Sequence, residues 1–402
     1  MEYTTISEAC TLHARIGWQG LTKSEYLDEG DYYLVTGVDF NNGHIAFDTC
    51  HFVTKERYDQ DQHIQLQLND VLVTKDGTIG KVAFIDSPID KPATLNSGVF
   101  VVRPKNPDLL LPEYLMIMLM SNHFSRFIEQ IKVGCTIAHL NQEKFLRYEF
   151  PLPPVAEQKH IIEVYYSVSK IINHRQRQLL ALDILIKARF VEMFGDPETN
   201  PMKWGCIQLG EICDLQNGYA FKSDDYLDHS TVLNCRMSNI RPDGGFDADY
   251  HPKYLPDEYW DTYQSYRLVD GDVIIAMTDM ASDPKILGVP TIVKSNGHKF
   301  LLNQRVGKLL FRDTSRMNNT YVMFFLGQAY IRKSLAKAAG GSTQINVGKP
   351  AILSITILEP PLQLQDDFAH FVFQVDKSKV IVQQALEKAQ MLFDGLMQQY
   401  FG

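Results

Sequence analysis

The sequence predicts an α+β protein: two mixed α/β domains in tandem repeat, each followed by a long helix, the two helices pairing as an antiparallel coiled coil. Three observations predict it. Landmarks recur at one offset: Pro154 and Pro361, Phe194 and Phe401, Gly134 and Gly341, and Tyr114 and Tyr321 are each 207 residues apart. Two stretches of ~40 residues carry an apolar side chain every three or four positions. Between them, short β-rich runs alternate with turn formers. A length of 402 residues accommodates two or three domains.

The first mixed domain is placed at 1–152. Residues 31–38, 70–74 and 98–102 are rich in β-formers and bounded by turn residues, so they read as strands. Residues 110–130 read as helical core. Residues 153–196 hold the first long helix, which opens at Pro153-Pro154-Val155-Ala156-Glu157-Gln158 and has no Pro or Gly from 155 to 194. Its seam is Ile161, Tyr165, Val168, Ile172, Leu179, Leu182, Ile186 and Met193, interrupted by Arg175 and Arg189.

The second mixed domain, 197–359, repeats the plan, with a strand at 272–276 and helix at 319–339. Leu68-Asn69-Asp70-Val71-Leu72-Val73 resembles Val269-Asp270-Gly271-Asp272-Val273-Ile274 at a slipped offset, which a loop-length difference explains. Residues 360–402 repeat the long helix, opening at Pro360-Pro361-Leu362-Gln363-Leu364-Gln365. Its seam runs from Phe368 through Val372, Val375, Val382, Leu386, Ala389, Phe393 and Leu396 to Tyr400, with Lys379 as the interruption. Each helix would extend ~60 Å. A single apolar stripe must be buried, and the other helix is the obvious cover. Tyr165, Ile172, Leu179, Phe368, Val375 and Leu386 are the positions expected to bind a partner.

The bulk composition excludes several classes. A net charge of −9 argues against nucleic-acid binding through bulk charge, though not through a local patch. No stretch approaches the ~18 apolar residues of a membrane span. The start lacks a basic segment followed by an apolar run, so no membrane contact and a cytoplasmic location are expected. Cys10, Cys50, Cys135, Cys206, Cys213 and Cys235 form no C-x-x-C pair. Reduced, mostly buried thiols are expected, with no metal or cofactor held by this chain.

The charge is unevenly spread. Residues 214–283 hold 14 acidic and 5 basic side chains, whereas 285–349 hold 11 basic and one acidic. Residues 1–88 carry 14 acidic and 6 basic, and 89–149 carry 6 and 7. A positive region inside an acidic chain suits a polyanion met at a defined place. The alternative is that the basic residues neutralise the acidic half across the fold.

Certain loops sharpen the polyanion reading. Gly340-Gly341-Ser342-Thr343-Gln344-Ile345-Asn346 follows Lys337, and its counterpart 133–139, with Thr136 and His139, follows Lys132. Small residues permit close backbone approach, and hydroxyls and amides bond phosphates or base edges. Asn303-Gln304-Arg305 supplies the side-chain types that read adenine and guanine. Lys75-Asp76-Gly77-Thr78 opens a Gly-rich turn between strands. Lys75, Thr78, Lys132, Thr136, His139, Asn303, Gln304, Arg305, Lys337, Ser342, Thr343, Gln344 and Asn346 are therefore the candidate DNA contacts.

Enzyme signatures are missing. There is no phosphate-loop, zincin, nucleophile-elbow or adenine-methyltransferase motif. Glu157-Gln158-Lys159 matches one end of a nuclease motif, but a charged first helical turn accounts for it. No catalytic residue is expected.

With these residues in view, the chain resembles the specificity subunits (HsdS) of type I restriction–modification systems. The resemblance is carried by Pro151-Leu152-Pro153-Pro154-Val155-Ala156-Glu157-Gln158, Gly17-Trp18-Gln19-Gly20-Leu21, Asp76-Gly77-Thr78-Ile79-Gly80, Gly341-Ser342-Thr343 and Arg189-Phe190-Val191-Glu192-Met193-Phe194-Gly195, across nearly the whole chain. It implies that the mixed domains are target-recognition domains, each reading half of a bipartite site in double-stranded DNA. The helices would act as a spacer and dock two modification subunits, which bind S-adenosylmethionine and methylate adenine. Restriction (motor–nuclease) subunits would complete the complex. Two departures stand out: His139 replaces the amide of Asn346, and Asp279-Met280-Ala281-Ser282-Asp283-Pro284 replaces the Gly-Thr-Ile-Gly turn. The competing expectation is a coiled-coil scaffold without DNA readout.

Overall fold

The computed structural model describes residues 2–16, 20–132, 139–312, 315–340 and 343–402. It divides into two compact units, Met1–Gln178 with Val382–Gly402, and Leu179–Ile381. The long helices span Val155–Phe194 and Leu362–Phe401, and each is divided between the two units. The compact units therefore cut across the four segments read from the sequence, because each mixed domain packs on one end of each helix.

The two units share one strand plan. In the first, Tyr3–Thr5 pairs antiparallel with Glu149–Pro151. A four-stranded antiparallel sheet has the order Cys10–His13, Val99–Pro104, Val71–Thr74, Val82–Phe84. A second sheet orders His51–Phe52, Tyr33–Val35, Ala93–Leu95, its last pair parallel. The second unit repeats this. Gly205–Gln208 pairs with Thr356–Glu359, and Cys213–Asn217, Val306–Phe311, Val273–Ala276 and Pro290–Ile292 form the antiparallel sheet. Val232–Cys235 and Lys299–Leu302 are its parallel pair, flanked by Tyr254–Leu255 and Arg267–Leu268. Val71–Thr74 is buried at every residue, because its sheet is covered on both faces.

Each helical stretch read at 110–130 and 319–339 is broken into two: Pro112–Leu119 with Asn122–Lys132, and Asn319–Leu326 with Ala329–Ala338. The first helix of each pair is apolar nearly all round. It packs inside, and its Tyr114 or Tyr321 is fully buried. Their hydroxyls donate to the carbonyls of Pro151 (2.8 Å) and Leu358 (3.0 Å), so neither buried polar tip is unpaired.

These tyrosines explain the Phe-Gly landmarks. Phe194 ends the first helix against Tyr321 at 4.7 Å, and Phe401 ends the second against Tyr114 at 5.7 Å. Each long helix thus terminates on the mixed domain of the other copy. Gly195 has φ +75°, where a Cβ would lie 2.8 Å from Pro201, so the chain leaves the first helix through a left-handed residue.

Within each unit the half-helices pack antiparallel. In the first, Ile161, Tyr165 and Val168 face Tyr400, Met397, Leu396 and Phe393, with Tyr165 and Phe393 rings 5.5 Å apart. In the second, Phe190 meets Phe368, Arg189 lies over the Phe371 ring, and Lys379 pairs with Asp183 at 2.5 Å. Arg189 and Lys379 thus keep their charges at the seam's edge by ring stacking and ion pairing.

Tyr165, Ile172, Leu179, Phe368, Val375 and Leu386 are all buried or half-buried, with Phe368 and Val375 in the second unit's core. Phe368 and Val375 in that core and Tyr165 on Phe393 serve the packing of the chain itself. The outward apolar positions are others, among them Ile184 (66% exposed) and Ile381 (68%).

Candidate nucleic-acid interface

Strand ends bring separate loops to one edge of each unit. In the second, the parallel strands finish together, and Asn303 N donates to the Cys235 carbonyl (3.1 Å). Gln304 N donates to Tyr219 O (2.9 Å) and Met277 N to Arg305 O (3.0 Å). The strand Thr278–Met280 then pairs with Gln344–Asn346, while Gln344 Nε2 approaches Met237 Sδ at 3.9 Å. In the first unit, Asn96 N donates to Val35 O (3.0 Å), Lys75 N to Gly98 O (2.8 Å) and Leu140 N to Lys75 O (2.8 Å). Asp76 and His139 form the equivalent bridge.

Asp76 and His139 therefore meet in the first unit, and Thr278–Met280 and Gln344–Asn346 in the second, on one backbone plan with different chemistry. His139 Nδ1 contacts the Asp76 carboxylate, both side chains being about half exposed. At the same place Thr278 Oγ1 donates to Asn346 Oδ1 at 2.7 Å. The departure at 279–284 also has a structural reason. Asp279 is buried, and its carboxylate accepts from the backbone N–H of Met280 (2.8 Å), Ile286 (2.5 Å) and Leu287 (2.9 Å), which shapes the longer loop. In the first unit glycines do that work. Gly77 and Gly80 have φ +70° and +81°, and a Cβ on Gly80 would stand 2.7 Å from Ile128.

The remaining candidates separate by burial. Gln304, Arg305, Lys337, Thr343 and Asn346 are exposed, and Gln344 is half-buried. Thr78 is exposed, its carbonyl accepting from Thr74 Oγ1 at 2.5 Å. Lys75 is half-buried, its ammonium 5.1 Å from the Phe100 ring centre. Lys132 ends its helix paired with Glu129 at 2.7 Å. Thr136 and Ser342 lie outside the described residues, as do most of 133–139, Gly341 and Gly17-Trp18-Gln19.

Asn303 is a correction. It is 6% exposed, and its carboxamide oxygen accepts from Arg305 N at 3.1 Å, so it builds the turn that presents Gln304 and Arg305. Its counterpart Asn96 was missed. It sits at the same 207 offset, and its oxygen accepts from Gly98 N at 3.0 Å. The turns 36–39 and 236–239 at this edge were also missed. Their signal is a repeat of polar caps 200 residues apart, Asp39 and Asn239, accepting from the N–H of Thr36 (2.7 Å) and Arg236 (2.8 Å).

The basic stretch 285–349 splits in two. Lys285 pairs with Asp283 (3.2 Å), Lys308 with Asp272 (2.7 Å), Arg316 with Glu359 (2.8 Å), and Arg312 (3.3 Å) and Lys349 (2.6 Å) with Asp214. The hydrogen bond from Lys349, with that from Leu215 N, holds Asp214 below the usual carboxylate range. These cations are neutralised within the fold. Lys294, Arg305, Lys333 and Lys337 are exposed and make no ion pair among the described residues. Exposed, unpaired cations on one segment are the electrostatic requirement for a polyanion.

Among the described residues no group of three His, Cys, Asp or Glu is placed to hold a metal ion, and no helix is long and apolar enough to cross a membrane. Cys10, Cys50, Cys213 and Cys235 are buried free thiols, and Cys206 is exposed.

Fold and edge together define a duplicated protein that offers one loop-built edge per repeat, with Arg305 exposed on the second. The model of the type I restriction modification DNA specificity domain matches residues 3–181 and again 201–390, and the chain belongs to that family. The chain is 24% identical over 360 residues to the type I restriction enzyme MjaVIII specificity subunit of Methanocaldococcus jannaschii, covering 86% of this chain and 79% of that one. It is 21% identical over 422 residues to the StySPI specificity subunit of Salmonella potsdam, covering 98% and 87%. The crystal structure of the S subunit of a type I system from M. genitalium superposes with a TM-score of 0.54 at 17% identity, over 100% of this chain and 96% of that one. A chain from a study of type I complex assembly and conformational transition gives 0.56 at 17% identity, over 99% and 97%.

Proposed function

We propose that this chain is the DNA-reading subunit of a type I restriction–modification complex and carries no catalytic group of its own. Each unit reads one half of a bipartite duplex site. The observation that carries this is the duplicated edge: one hydrogen-bonded scaffold presents His139 beside Asp76 in one unit and Asn346 beside Thr278 in the other. A scaffold held constant while its exposed polar groups change is what two different half-sites require. Two modification subunits supply S-adenosylmethionine and adenine methylation, and restriction subunits supply cleavage. The outward apolar residues of the long helices suit docking of these subunits, since such positions gain by being covered. Single-molecule methylome sequencing of a host carrying this chain with its modification subunit tests the reading. A bipartite methyladenine motif is expected. Methylation by the chain alone, or none with its partner, would overturn it.

A further inference from the structure

At the interface edge of the first unit, Val38 stands 87% exposed, the most exposed large apolar side chain among the described residues. Single exposed apolar residues are common and mean little by themselves. What sets Val38 apart is how rigidly it is held and where. It occupies the third position of the turn Thr36-Gly37-Val38-Asp39, directly after the strand Tyr33–Val35.

Asp39 is 2% exposed and ties that turn together. One carboxylate oxygen accepts from Thr36 N (2.7 Å) and Thr36 Oγ1 (2.8 Å), and the other from Thr49 Oγ1 (3.2 Å). Asp39 N donates back to Thr36 O (3.2 Å), and Val38 N approaches Thr36 Oγ1 at 3.4 Å. A Cβ on Gly37 would stand 2.9 Å from the Thr74 methyl, so the turn lies against the residue that precedes Lys75. The turn is therefore a third loop of the same edge. The second unit repeats it at 236–239, where Met237 meets Gln344 of the interface loop. There the residue at the place of Val38 is Ser238, which is half-buried.

A buried carboxylate bonded to both the N–H and the hydroxyl of Thr36 thus serves to display one apolar side chain to solvent. Among the base edges of the major groove, the C5 methyl of thymine is the apolar handle. A branched side chain on a turn that is already ordered meets it at little cost in conformational entropy. We propose that Val38 is a specificity-determining residue of the first half-site, packing its γ-methyls on the C5 methyl of one thymine. This rests on the reading of the first unit as a DNA-recognition domain.

The test uses the chain assembled with its modification subunits. Each thymine of the first half-site is replaced in turn by deoxyuridine, which lacks only that methyl. The unaltered protein should lose about fourfold in affinity at one position, the worth of one buried methyl. Val38→Ala should lose a similar factor on the natural site and become indifferent to deoxyuridine at that position. Its response to deoxyuridine in the second half-site, and its thermal unfolding, should not change. A deoxyuridine profile for Val38→Ala identical to that of the unaltered protein overturns the proposal and leaves DNA reading standing, as does a first half-site in which no methyl matters. Absence of any sequence preference in the unaltered complex overturns the reading and the proposal together.

Discussion

Gln158 and Gln365 are fully buried in the first turns of the two long helices, 207 residues apart, and they make the same three hydrogen bonds. Gln158 Oε1 accepts from Leu111 N (2.9 Å), while Nε2 donates to the carbonyls of Leu109 and Pro153 (both 2.8 Å). Gln365 Oε1 accepts from Asn318 N (2.8 Å), and Nε2 donates to the carbonyls of Arg316 (3.2 Å) and Pro360 (2.8 Å). Each glutamine locks the start of its helix to the entry of the buried apolar helix. That is the physical content of the Pro-Pro-x-x-x-Gln repeat.

Replacing either glutamine by leucine keeps the bulk and leaves three backbone groups without this partner, the carbonyl of Pro153 or Pro360 among them in a buried bond. Gln158→Leu and Gln365→Leu are each expected to cost about 2–4 kcal/mol, read from denaturant unfolding. A loss below about 1 kcal/mol would mean that water reaches these groups.

Glu25 gives the acid limb of stability a local source. Its carboxylate accepts from Thr22 N (2.8 Å), with further bonds from Arg57 Nε (2.7 Å) and Thr22 Oγ1 (2.9 Å), which hold its pKa down to about 2. A lowered folded pKa stabilises above the ordinary carboxylate value of about 4.3 and is lost as pH falls through the folded one. Glu25→Gln should therefore be less stable than the unaltered chain at pH 7. The two unfolding curves should converge below about pH 2.

Arg305 and the lysines of the neighbouring helix are expected to act differently. Arg305→Gln should relax sequence preference at one position of the second half-site, by about 1–3 kcal/mol in discrimination. Lys333→Gln and Lys337→Gln should weaken binding to all sequences alike and reduce the salt slope by about one each. Methylome mapping reads the first effect, and salt-dependent duplex binding reads the second.

Ile184 and Ile381 test the outward helix surface. Ile184→Glu with Ile381→Glu should leave unfolding unchanged, since each residue is about two-thirds exposed. Recovery of the modification subunit with the chain should fall at least tenfold in co-purification.

The long helices also carry a length prediction. Adding one heptad after Gln178 and another after Ile381 adds about 10 Å to each helix. Methylome mapping should then show a gap longer by about three base pairs, with both half-site sequences retained. An unchanged gap would separate helix length from site spacing.

Much of the fold was legible. Gln158, Phe194 and Tyr114 recur because the same buried contacts are built twice, and the seam through Ile161, Tyr165 and Val168 follows helical spacing. The site was legible only in part. Asn303 carries the right side chain for a base, yet it is buried and its carboxamide oxygen closes the turn. Lys308 and Lys349 counted toward a positive patch, yet Asp272 and Asp214 neutralise them. Val38 drew no notice, because one valine in a β-rich run looks like core.

The sequence by itself determined the repeat, the two long helices and their apolar seam, since periodicity and landmark spacing are local properties of the chain. Only the tertiary structure decided that each helix ends on the other copy's tyrosine, Phe194 on Tyr321 and Phe401 on Tyr114. Only it decided which cations stay unpaired and which loops share an edge. Those outcomes depend on contacts between residues far apart in the chain, where packing geometry selects among partners that composition treats as equal.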